Sequence, residues 1–325
     1  MTRHVRPVLF LAFVVAAASY TSGAGQALPP GEHPAGFADA VLGRWDLTVE
    51  GVEGPYPSWL LIHMRKDTQL QANFVGRFGS VRSATLTDFD NGQLTVVIPV
   101  QYEQQKTDLK FIGKVVGDKL EGTTEDEKGR TVKWTGARAP DSTTTKPVNW
   151  GAPIQLLNQG DLTGWRQRST AKGICWSVAD GVLTNKTPCA DLITEKTFTD
   201  FKLHVELMFP PKSNSGVYLR GRYEVQIQDD AGKPVDSHRM GGVYGFIAPY
   251  TNATKPADEW QAYDITLIGR RVTVVLNGTT IIDNEIIPGI TGGAIDSREG
   301  DPGPLMLQGY HGKISFRNIT LTPSL

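Results

Sequence analysis

The chain has 325 residues, which is enough for two ordinary domains with sizeable cores. Its 33 basic and 34 acidic residues give a formal net charge of -1, so the composition shows no electrostatic footprint for nucleic acid. The 35 glycines and 20 prolines, together with apolar residues in short runs, favour an all-β protein that is rich in turns.

The first 27 residues have the organisation of a secretory signal peptide. Arg3 and Arg6 form a charged start, the apolar run from 8 to 18 is too short to span a bilayer, and small residues follow it. We therefore expect a secreted or periplasmic protein with no stable membrane insertion after cleavage; an uncleaved membrane anchor is the alternative. Residues 28–41, which are rich in Pro and Gly, are interpreted as a leader.

Residues 42–139 contain eight short alternating segments separated by turn signals, a pattern typical of strands. Eight such strands predict a small up-and-down barrel or sandwich. Gly43-Arg44-Trp45 is similar to the Gly-x-Trp start of lipocalin-type barrels, although a Trp that plugs one barrel end requires no ligand. No catalytic grouping is visible in this domain. The predicted strands are 44–50, 58–63, 69–74, 80–87, 93–100, 109–116, 119–124 and 131–137.

Residues 140–149 are polar, contain two prolines and are predicted to be an extended linker. The second domain, 150–325, has long strands, hairpins and few helix caps, which predict two stacked antiparallel sheets in a jelly roll. Its longest irregular segments, 230–258 and 286–303, are expected to be functional rims. The predicted strands are 175–179, 181–184, 191–194, 201–209, 216–220, 223–228, 261–268, 271–276, 279–283, 305–308 and 312–320.

The chain has two cysteines, Cys175 and Cys189, on either side of a predicted hairpin that turns at Asp180-Gly181. In an exported protein a disulfide between them is the default expectation. Two unpaired, buried thiols are the alternative.

The stretch Asn214–Asp229 is predicted to form two adjacent strands broken by Gly221. Alternation gives each strand an apolar face and a polar face. Polar groups that are removed from water need partners. The polar face is therefore expected either to be exposed to solvent or to form a hydrated, concave binding surface. An aromatic residue and an Arg beside a carboxylate favour a sugar-sized cleft. The apolar face carries Val217, Leu219, Val225 and Ile227, and the polar face carries Tyr218, Arg220, Glu224, Gln226 and Gln228.

Six segments spread in order over the second domain carry a family resemblance. They are LLNQGDLTGW (156–165), WSVADGVLT (176–184), TFTDFKLHVEL (197–207), NSGVYLRGRYEVQIQD (214–229), EWQAYDITLIGRRVTVVLNG (259–278) and PLMLQGYHGKISFRNITL (304–321). The series resembles the 3-keto-disaccharide (3-keto-glycoside) hydrolase family, and the first domain is not covered by it. The resemblance implies a concanavalin A-like jelly roll and a secreted or periplasmic protein that acts on oxidised sugars. Before His311 the chain has Gly309-Tyr310, where the family more often shows one acidic residue.

The resemblance also implies chemistry beside a ketone at C3 of the sugar. A base removes the acidified proton at C2, the aglycone oxygen leaves C1, and water adds later; the reaction needs a base, an acid and donors for the enolate oxygen. Glu224 is the first candidate for the base. Glu206 is the second acid–base candidate, because two close carboxylates push one pKa upward. His311 is the alternative acid or base, since imidazole titrates near neutrality.

The remaining candidates are substrate-binding groups. Arg220 is expected to bind the developing oxyanion. Both of the following residues also have a purely structural interpretation. Glu206 would then be a surface partner of Lys202 or His204, and Trp260 would be a core residue. The side chains expected to hold sugar hydroxyls or to stack on sugar rings are Asn214, Tyr218, Gln226, Gln228, Asp229, Tyr244, Trp260 and Gln308. This interpretation requires that Glu206, Arg220, Glu224 and Gln226 converge in one hollow of a two-layer β fold.

No cofactor is expected from the sequence. Asp296, Glu299 and Asp301 lie in a Pro- and Gly-rich turn and could form an oxygen-rich cation site, but an acidic loop without an ion is favoured. The chain has neither a His/Cys zinc spacing nor a Gly-x-Ser-x-Gly elbow.

The segment Glu224–Asp229 is laid out like the Glu-x-Asp-x-x-Glu strand of jelly-roll β-glucanases. Gln226 stands where those enzymes have the middle Asp, and Asp229 is shorter than the last Glu. Double displacement needs two carboxylates about 5 Å apart, so it ranks below elimination from a keto sugar. Three hypotheses follow for a protein whose expected partner is a carbohydrate or glycoside: a 3-keto-glycoside hydrolase, a non-catalytic carbohydrate-binding protein, and an ordinary β-glucanase.

Overall fold

The computed structural model describes residues 40–65, 69–87, 92–103, 106–143, 147–171, 173–186 and 189–325. The predicted signal peptide and residues 28–39 of the predicted leader lie outside the described residues. Within the described ranges the chain forms 21 strands, and no helix there is long and apolar enough to cross a bilayer. The all-β prediction is therefore confirmed.

The first eight strands close into an antiparallel barrel in sequence order, with the first strand paired to both the second and the eighth. All eight predicted strands are present, and the closure selects a barrel over a sandwich. The strands are β1 (Gly43–Gly51), β2 (Gly54–Arg65), β3 (Gln69–Val75), β4 (Arg82–Thr87), β5 (Gln93–Ile98), β6 (Leu109–Val116), β7 (Lys119–Glu125) and β8 (Thr131–Arg138).

Strand β1 shows how alternation divides the barrel wall into two faces. Trp45, Leu47 and Val49 belong to the buried core of the barrel. The Trp45 indole nitrogen donates to the Val41 carbonyl at 2.8 Å, so the ring is fixed near the start of the barrel. The intervening residues Arg44 and Asp46 point outward, and the contacts that they make are with the second domain.

The later strands form two stacked antiparallel sheets. The five-stranded sheet has the order β10-β13-β20-β15-β16, and the eight-stranded sheet has the order β11-β12-β21-β14-β17-β18-β19 with β9 paired to β21. The strands are β9 (Ile154–Gln155), β10 (Trp165–Gln167), β11 (Trp176–Ala179), β12 (Val182–Asn185), β13 (Leu192–Thr194), β14 (Phe201–Met208), β15 (Asn214–Leu219), β16 (Tyr223–Gln228), β17 (Gln261–Ile268), β18 (Arg271–Leu276), β19 (Thr279–Ile286), β20 (Met306–Leu307) and β21 (Ser315–Pro323). The sequence pattern predicted all of them except β9 and β10, which are too short to show alternation.

The core of the sandwich lies between the two sheets. The eight-stranded sheet contributes Phe201, Leu203, Val205 and Leu207 from β14, and the five-stranded sheet contributes the apolar face of β15 and β16. Every residue predicted for that face is fully buried, so the predicted register of the two strands is confirmed. Cys175 and Cys189 form a disulfide with 5.7 Å between their Cα atoms, as predicted.

The barrel and the sandwich share a continuous apolar contact. Trp59 points out of the barrel wall, is fully buried and belongs to the hydrophobic core of the sandwich. Its ring packs edge-on against Phe246, with 5.6 Å between the centroids, and lies against Gly289. A Cβ atom at Gly289 would come within 2.2 Å of the indole, so only glycine allows this approach. The loop after β19 is thereby held against the barrel.

Polar groups are buried beside this contact. Glu299 accepts hydrogen bonds from Arg44 at 2.5 Å and from the Tyr223 hydroxyl at 2.7 Å, and it lies next to the Asp46 carboxyl. Burial, with the charge of Glu299 as the second cause, raises the pKa of Asp46 to about 8. Asp46 is therefore protonated at neutral pH and can donate a hydrogen bond to Glu299.

We predict that Asp46 makes the domain contact weaker in alkaline solution. Because its pKa is higher in the folded than in the unfolded chain, its stabilising contribution is complete below about pH 4 and is lost as the pH rises through about 8. Asp46→Asn keeps a neutral donor at this position. In urea unfolding, the stability of the variant relative to the wild type should rise by about 1–3 kcal/mol between pH 6 and pH 9.5. Equal alkaline losses in the two proteins would contradict the assignment.

Candidate active site

The polar row predicted on β16 lies on the outer face of the five-stranded sheet. Tyr218 on β15 stands opposite Glu224, and Gly216 stands opposite Gln226. The row is not solvated, because Glu224 and Gln226 are only 4% and 2% exposed. Backbone contacts with the two long loops, 229–258 and 287–303, cover it. Of the two predicted settings, open solvent is excluded, because the two loops bury the row; this covered polar row is termed the cleft.

Glu224 has hydrogen-bonding partners from three segments, two at its carboxyl group and one at its backbone nitrogen. The Tyr218 hydroxyl lies 2.9 Å from Oε2, and the Gln308 amide nitrogen lies 3.3 Å from Oε1. The Glu224 backbone nitrogen donates to the Thr291 hydroxyl at 3.0 Å. No arginine or lysine is among these partners. Burial, together with the charge of Asp191, raises the pKa of Glu224 to about 8.

The hydroxyl of Tyr218 links the charge state of Glu224 to a hydrogen bond with the loop that contains Gly292. The same oxygen lies 2.9 Å from Glu224 Oε2 and 2.9 Å from the Gly292 carbonyl, but it carries one proton. With Glu224 ionised, Tyr218 donates to the carboxylate. With Glu224 protonated, the carboxyl can donate to the Tyr218 oxygen, and Tyr218 can donate to Gly292.

Two glycines make room for this arrangement. A Cβ atom at Gly216 would come within 2.3 Å of Glu224 Oε1, so the carboxyl lies across the bare backbone of β15. A Cβ atom at Gly293 would come within 2.7 Å of the Tyr218 hydroxyl, and Gly293 also has a φ of +83°. The side chains of Glu224 and Tyr218 therefore fit only between these glycines.

Three charged groups extend the cleft toward β10 and β13. Asp191 precedes β13, accepts a hydrogen bond from the Gly309 backbone nitrogen at 3.1 Å and lies 3.6 Å from the Arg168 guanidinium. Burial raises the pKa of Asp191, while Arg168 and the nearby His311 oppose that effect. His311 itself is exposed. Asp191 and Arg168 were not among the predicted site residues, because only the strand order places β13 beside β20, which in turn pairs with β15.

Two buried amide oxygens point to a polar ligand. Among the described residues, the Oε1 atoms of Gln226 and Gln308 are buried and have no hydrogen-bond partner. The Gln226 amide nitrogen donates weakly to the His238 carbonyl and to Gln228 Oε1, each at 3.3 Å. An unpaired buried acceptor is costly, and a sugar hydroxyl would satisfy it.

The rim of the cleft carries other predicted candidates. The Tyr244 backbone nitrogen donates to the Glu224 carbonyl at 3.0 Å, and the Tyr244 ring packs edge-on against His238 with 5.0 Å between the centroids. Asn214, which is half-buried, stands opposite Gln228 at the end of the row. The Asp229 carboxylate accepts a hydrogen bond from the backbone nitrogen of Lys212 at 3.0 Å. It therefore stabilises the loop before β15 and does not line the cleft.

The predicted positions of Glu206 and Trp260 are wrong. Glu206 lies on β14 in the eight-stranded sheet, where it accepts from Arg317 at 2.6 Å and from Asn318 at 2.7 Å. The Arg317 guanidinium also stacks on the Trp260 ring, 3.9 Å from its centroid. Both candidates therefore sit on the other layer of the sandwich. Alternation identified their outward direction, but it could not say to which sheet β14 belongs.

The predicted position of Arg220 is also wrong. Arg220 follows β15 in the tight turn to β16 and has a left-handed φ of +52°, so strand alternation no longer sets its direction. Its guanidinium is buried and donates to the Gly269 carbonyl at 2.8 Å and to the Tyr223 hydroxyl at 3.1 Å. It belongs to the buried polar contact near the barrel and does not face Glu224. The required convergence of Glu206, Arg220, Glu224 and Gln226 in one hollow is therefore not observed, because only Glu224 and Gln226 share a face.

The acidic turn considered as a cation site is engaged by arginines. Asp296 pairs with Arg222 at 2.7 Å, and Asp301 lies 3.6 Å from Arg298. Glu299 pairs with Arg44, as described above. In the ranges that the structure describes, no group of three His, Cys, Asp or Glu side chains could hold a metal ion.

We predict that Gly216→Ala disrupts the cleft. The new Cβ atom would collide with the Glu224 carboxyl, and overpacking of this kind costs about 1–3 kcal/mol. Gly160→Ala is the matched control, since a Cβ atom there meets no other atom within 4 Å. Urea unfolding midpoints should fall for Gly216→Ala and stay near the wild-type value for Gly160→Ala. Equal midpoints for the two variants would show that Glu224 does not occupy this position.

Comparisons with known proteins identify one matching family and several similar solved structures. The family model described as "3-keto-alpha-glucoside-1,2-lyase-like domain" matches residues 152–322. This match covers more than half of the chain and includes the whole five-stranded sheet. No curated protein matches the chain.

Several solved structures are similar to parts of the chain. A protein from Parabacteroides distasonis, described as a "putative glycosyl hydrolase", is 29% identical, with 55% of this chain and 91% of that chain covered and a TM-score of 0.45. The carbohydrate binding module CBM66 from Bacillus subtilis is 12% identical, with 49% and 94% covered and a TM-score of 0.34. SCLam, a non-specific endo-beta-1,3(4)-glucanase of family GH16, is 13% identical, with 57% and 92% covered and a TM-score of 0.33. With TM-scores below 0.5, these likenesses do not carry a functional assignment.

Proposed function

The chain belongs to the family of the 3-keto-alpha-glucoside-1,2-lyase-like domain, and on that premise we propose that it cleaves 3-keto-glycosides at the glycosidic bond. Membership of this family identifies the second domain as a carbohydrate-active jelly roll that is similar to glycosyl hydrolases. The 3-keto substrate and the mechanism are our proposal. The observation that supports them best is Glu224, a single buried carboxyl whose pKa of about 8 suits a base for a weakly acidic C–H bond.

The first step is elimination. The Glu224 carboxylate takes the proton from C2, and the electron pair of the C–H bond forms the C1–C2 double bond. The bond between C1 and the aglycone oxygen breaks, and the aglycone oxygen leaves with a proton from an acid. The product is a conjugated enone, and no oxidation or reduction takes place. Tyr218 stabilises the ionised form of Glu224 before the step, because its hydroxyl can turn toward Oε2.

The second step is hydration. Water adds its oxygen to C1 of the enone and returns one proton to the acid that protonated the aglycone. C2 regains a proton from Glu224, which is then ready for another cycle. The two steps together amount to hydrolysis of the glycosidic bond. The same carboxyl serves as base and then as acid, so a second carboxylate across the bond is unnecessary.

The rest of the cleft supplies an acid and hydrogen-bonding groups. His311 lies near Asp191 and can protonate the departing oxygen, with Asp191 holding the imidazolium beside it. The unpaired amide oxygens of Gln226 and Gln308 can accept hydrogen bonds from sugar hydroxyls. Tyr244 and His238 offer ring surfaces at the rim.

A non-catalytic carbohydrate-binding protein is the second candidate. Glu224 is almost fully buried and is protonated at neutral pH, and a neutral acid can bind a sugar hydroxyl without removing a proton. An ordinary β-glucanase ranks lower, because Asp229 is tied to Lys212 and offers no second carboxylate opposite Glu224. Binding of a keto sugar without turnover would favour the second candidate.

We also propose an extracytoplasmic location. The Cys175–Cys189 disulfide needs an oxidising compartment to persist, and it supports export from the cytoplasm. Secretion or export to a periplasm fits the organisation of residues 1–27.

We predict that Glu224→Gln abolishes cleavage of a 3-keto-disaccharide. The amide preserves the shape of the side chain but cannot accept a proton, so kcat should fall by about 10²–10⁴-fold. Glu206→Gln is the matched control, because it makes the same change on the opposite sheet. Release of sugar should be followed with the keto-disaccharide and with its unoxidised parent. Full activity of Glu224→Gln, or cleavage of the parent alone, would refute the proposal.

We further predict that activity rises with pH. Glu224 acts as a base only when ionised, and its pKa of about 8 means that the ionised fraction falls about tenfold for each pH unit below that value. For a 3-keto-glycoside with a nitrophenol leaving group, which departs without a proton from His311, kcat/KM should therefore increase about tenfold from pH 6 to pH 7 and level off above about pH 8. The measurement is a pH–rate profile in buffers of constant ionic strength. A flat profile would contradict the role of Glu224 as the base.

A further inference from the structure

The barrel contains a cavity at the end where β1 and β3 finish. The cavity has a volume of about 140 Å³ and is lined in part by the rings of Tyr56, Phe74 and Phe111. Phe74 and Phe111 pack against each other with 5.0 Å between their centroids and belong to the barrel core. A cavity of this volume with apolar walls can take one benzene-sized ring.

A buried hydroxyl lies in the wall of this cavity. Ser58 on β2 is fully buried, and its hydroxyl has no hydrogen-bond partner among the described residues. A buried polar group without a partner is unusual and is satisfied by a ligand that brings a polar atom. The cavity therefore combines aromatic walls with the Ser58 hydroxyl, and charged side chains such as Glu103, Lys128 and Arg130 also line it.

The opening of the cavity carries exposed apolar side chains. Val52, Phe78 and Tyr102 line it and are 54%, 56% and 64% exposed. The Arg77 guanidinium stacks on Phe78, 5.2 Å from its centroid, and also lies 5.6 Å from the centroid of Tyr56. Three exposed, large apolar side chains around one opening are typical of a binding surface.

The opening adjoins the cleft of Glu224. The Gly293 backbone nitrogen donates to the Arg77 carbonyl at 2.9 Å, and the backbones of Gly79 and Gly292 are in direct contact. Tyr102 also lies close to Tyr244 on the rim of the cleft, and burial together with this neighbour raises the pKa of Tyr244. One ligand can therefore reach across Tyr102 from the cleft to the barrel.

We propose that the barrel binds the aglycone of the glycoside whose keto sugar lies beside Glu224, and that this aglycone is a neutral, phenol-sized aromatic group. This inference rests on the proposed function. The ring enters the slot between Tyr56, Phe74 and Phe111, a polar substituent reaches the Ser58 hydroxyl, and Phe78 and Tyr102 cover the opening. Carboxylates outnumber cations around the opening, which disfavours an anionic aglycone.

The test compares two substrates in the full-length protein. A 3-keto-glucoside with a phenolic aglycone and methyl 3-keto-glucoside share the reacting ring and differ only in the aglycone. In the double variant Phe78→Ala, Tyr102→Ala, the ratio of kcat/KM for the aryl over the methyl substrate should fall about tenfold, the size of a lost aromatic contact. Val116→Ala, an exposed residue at the opposite end of β6, should keep the wild-type ratio. An unchanged ratio in the double variant would overturn the proposal.

A second measurement separates this proposal from the proposed function. Saturation-transfer NMR detects binding of unoxidised phenyl glucoside to Glu224→Gln, where no turnover intervenes. Binding that the double variant weakens at least tenfold supports the barrel site, even if the wild type cleaves no keto-glycoside and the proposed function fails. Binding that the double variant leaves unchanged, or no binding at all, overturns the barrel site, while cleavage of methyl 3-keto-glucoside would still uphold the proposed function.

Discussion

The hydrogen bond between the Tyr218 hydroxyl and the Gly292 carbonyl connects the five-stranded sheet to the loop that lies against the barrel. Tyr218 belongs to the five-stranded sheet and also touches the Glu224 carboxyl, whereas Gly292 belongs to a loop that lies against the barrel. Glycine at 292 is required there, because a Cβ atom would come within 2.2 Å of the Gly79 carbonyl. The barrel thus presses the loop onto the sheet, and the loop closes the cleft over the carboxyl.

Burial under this loop decides the chemistry of Glu224. The sheet supplies a hydroxyl and an amide to the carboxyl but no cation, so desolvation outweighs the hydrogen bond from Tyr218 and the pKa rises. A raised carboxyl pKa lowers stability at neutral and alkaline pH, because the unfolded chain releases the proton more readily. Asp46 at the barrel contact has the same property. Both groups lie under contacts that the loop between 287 and 303 makes, Glu224 beside Thr291 and Asp46 beside Glu299.

Strand alternation predicted much of this site and misassigned part of it. The polar faces of β15 and β16 correctly grouped Tyr218, Glu224 and Gln226, since the period of two is a property of each strand and its neighbour in a hairpin. The same rule misled for Glu206, because β14 pairs with β17 and β21 in the other layer. It failed for Arg220, because a left-handed residue in the turn reverses the direction of its side chain. Asp191 and Arg168 escaped notice, because they come from segments far away in the chain.

The sequence by itself determined the all-β class, the eight barrel strands, the long strands of the sandwich, the cysteine pair and the identity of the central carboxyl. These follow from local rules: alternation, turn residues and the spacing of matching segments. The tertiary structure alone decided which sheet each strand joins, that Glu224 is covered instead of solvated, and that the barrel opens beside the cleft. Those properties depend on contacts between residues hundreds of positions apart, such as Arg44 with Glu299, and no local pattern records such contacts.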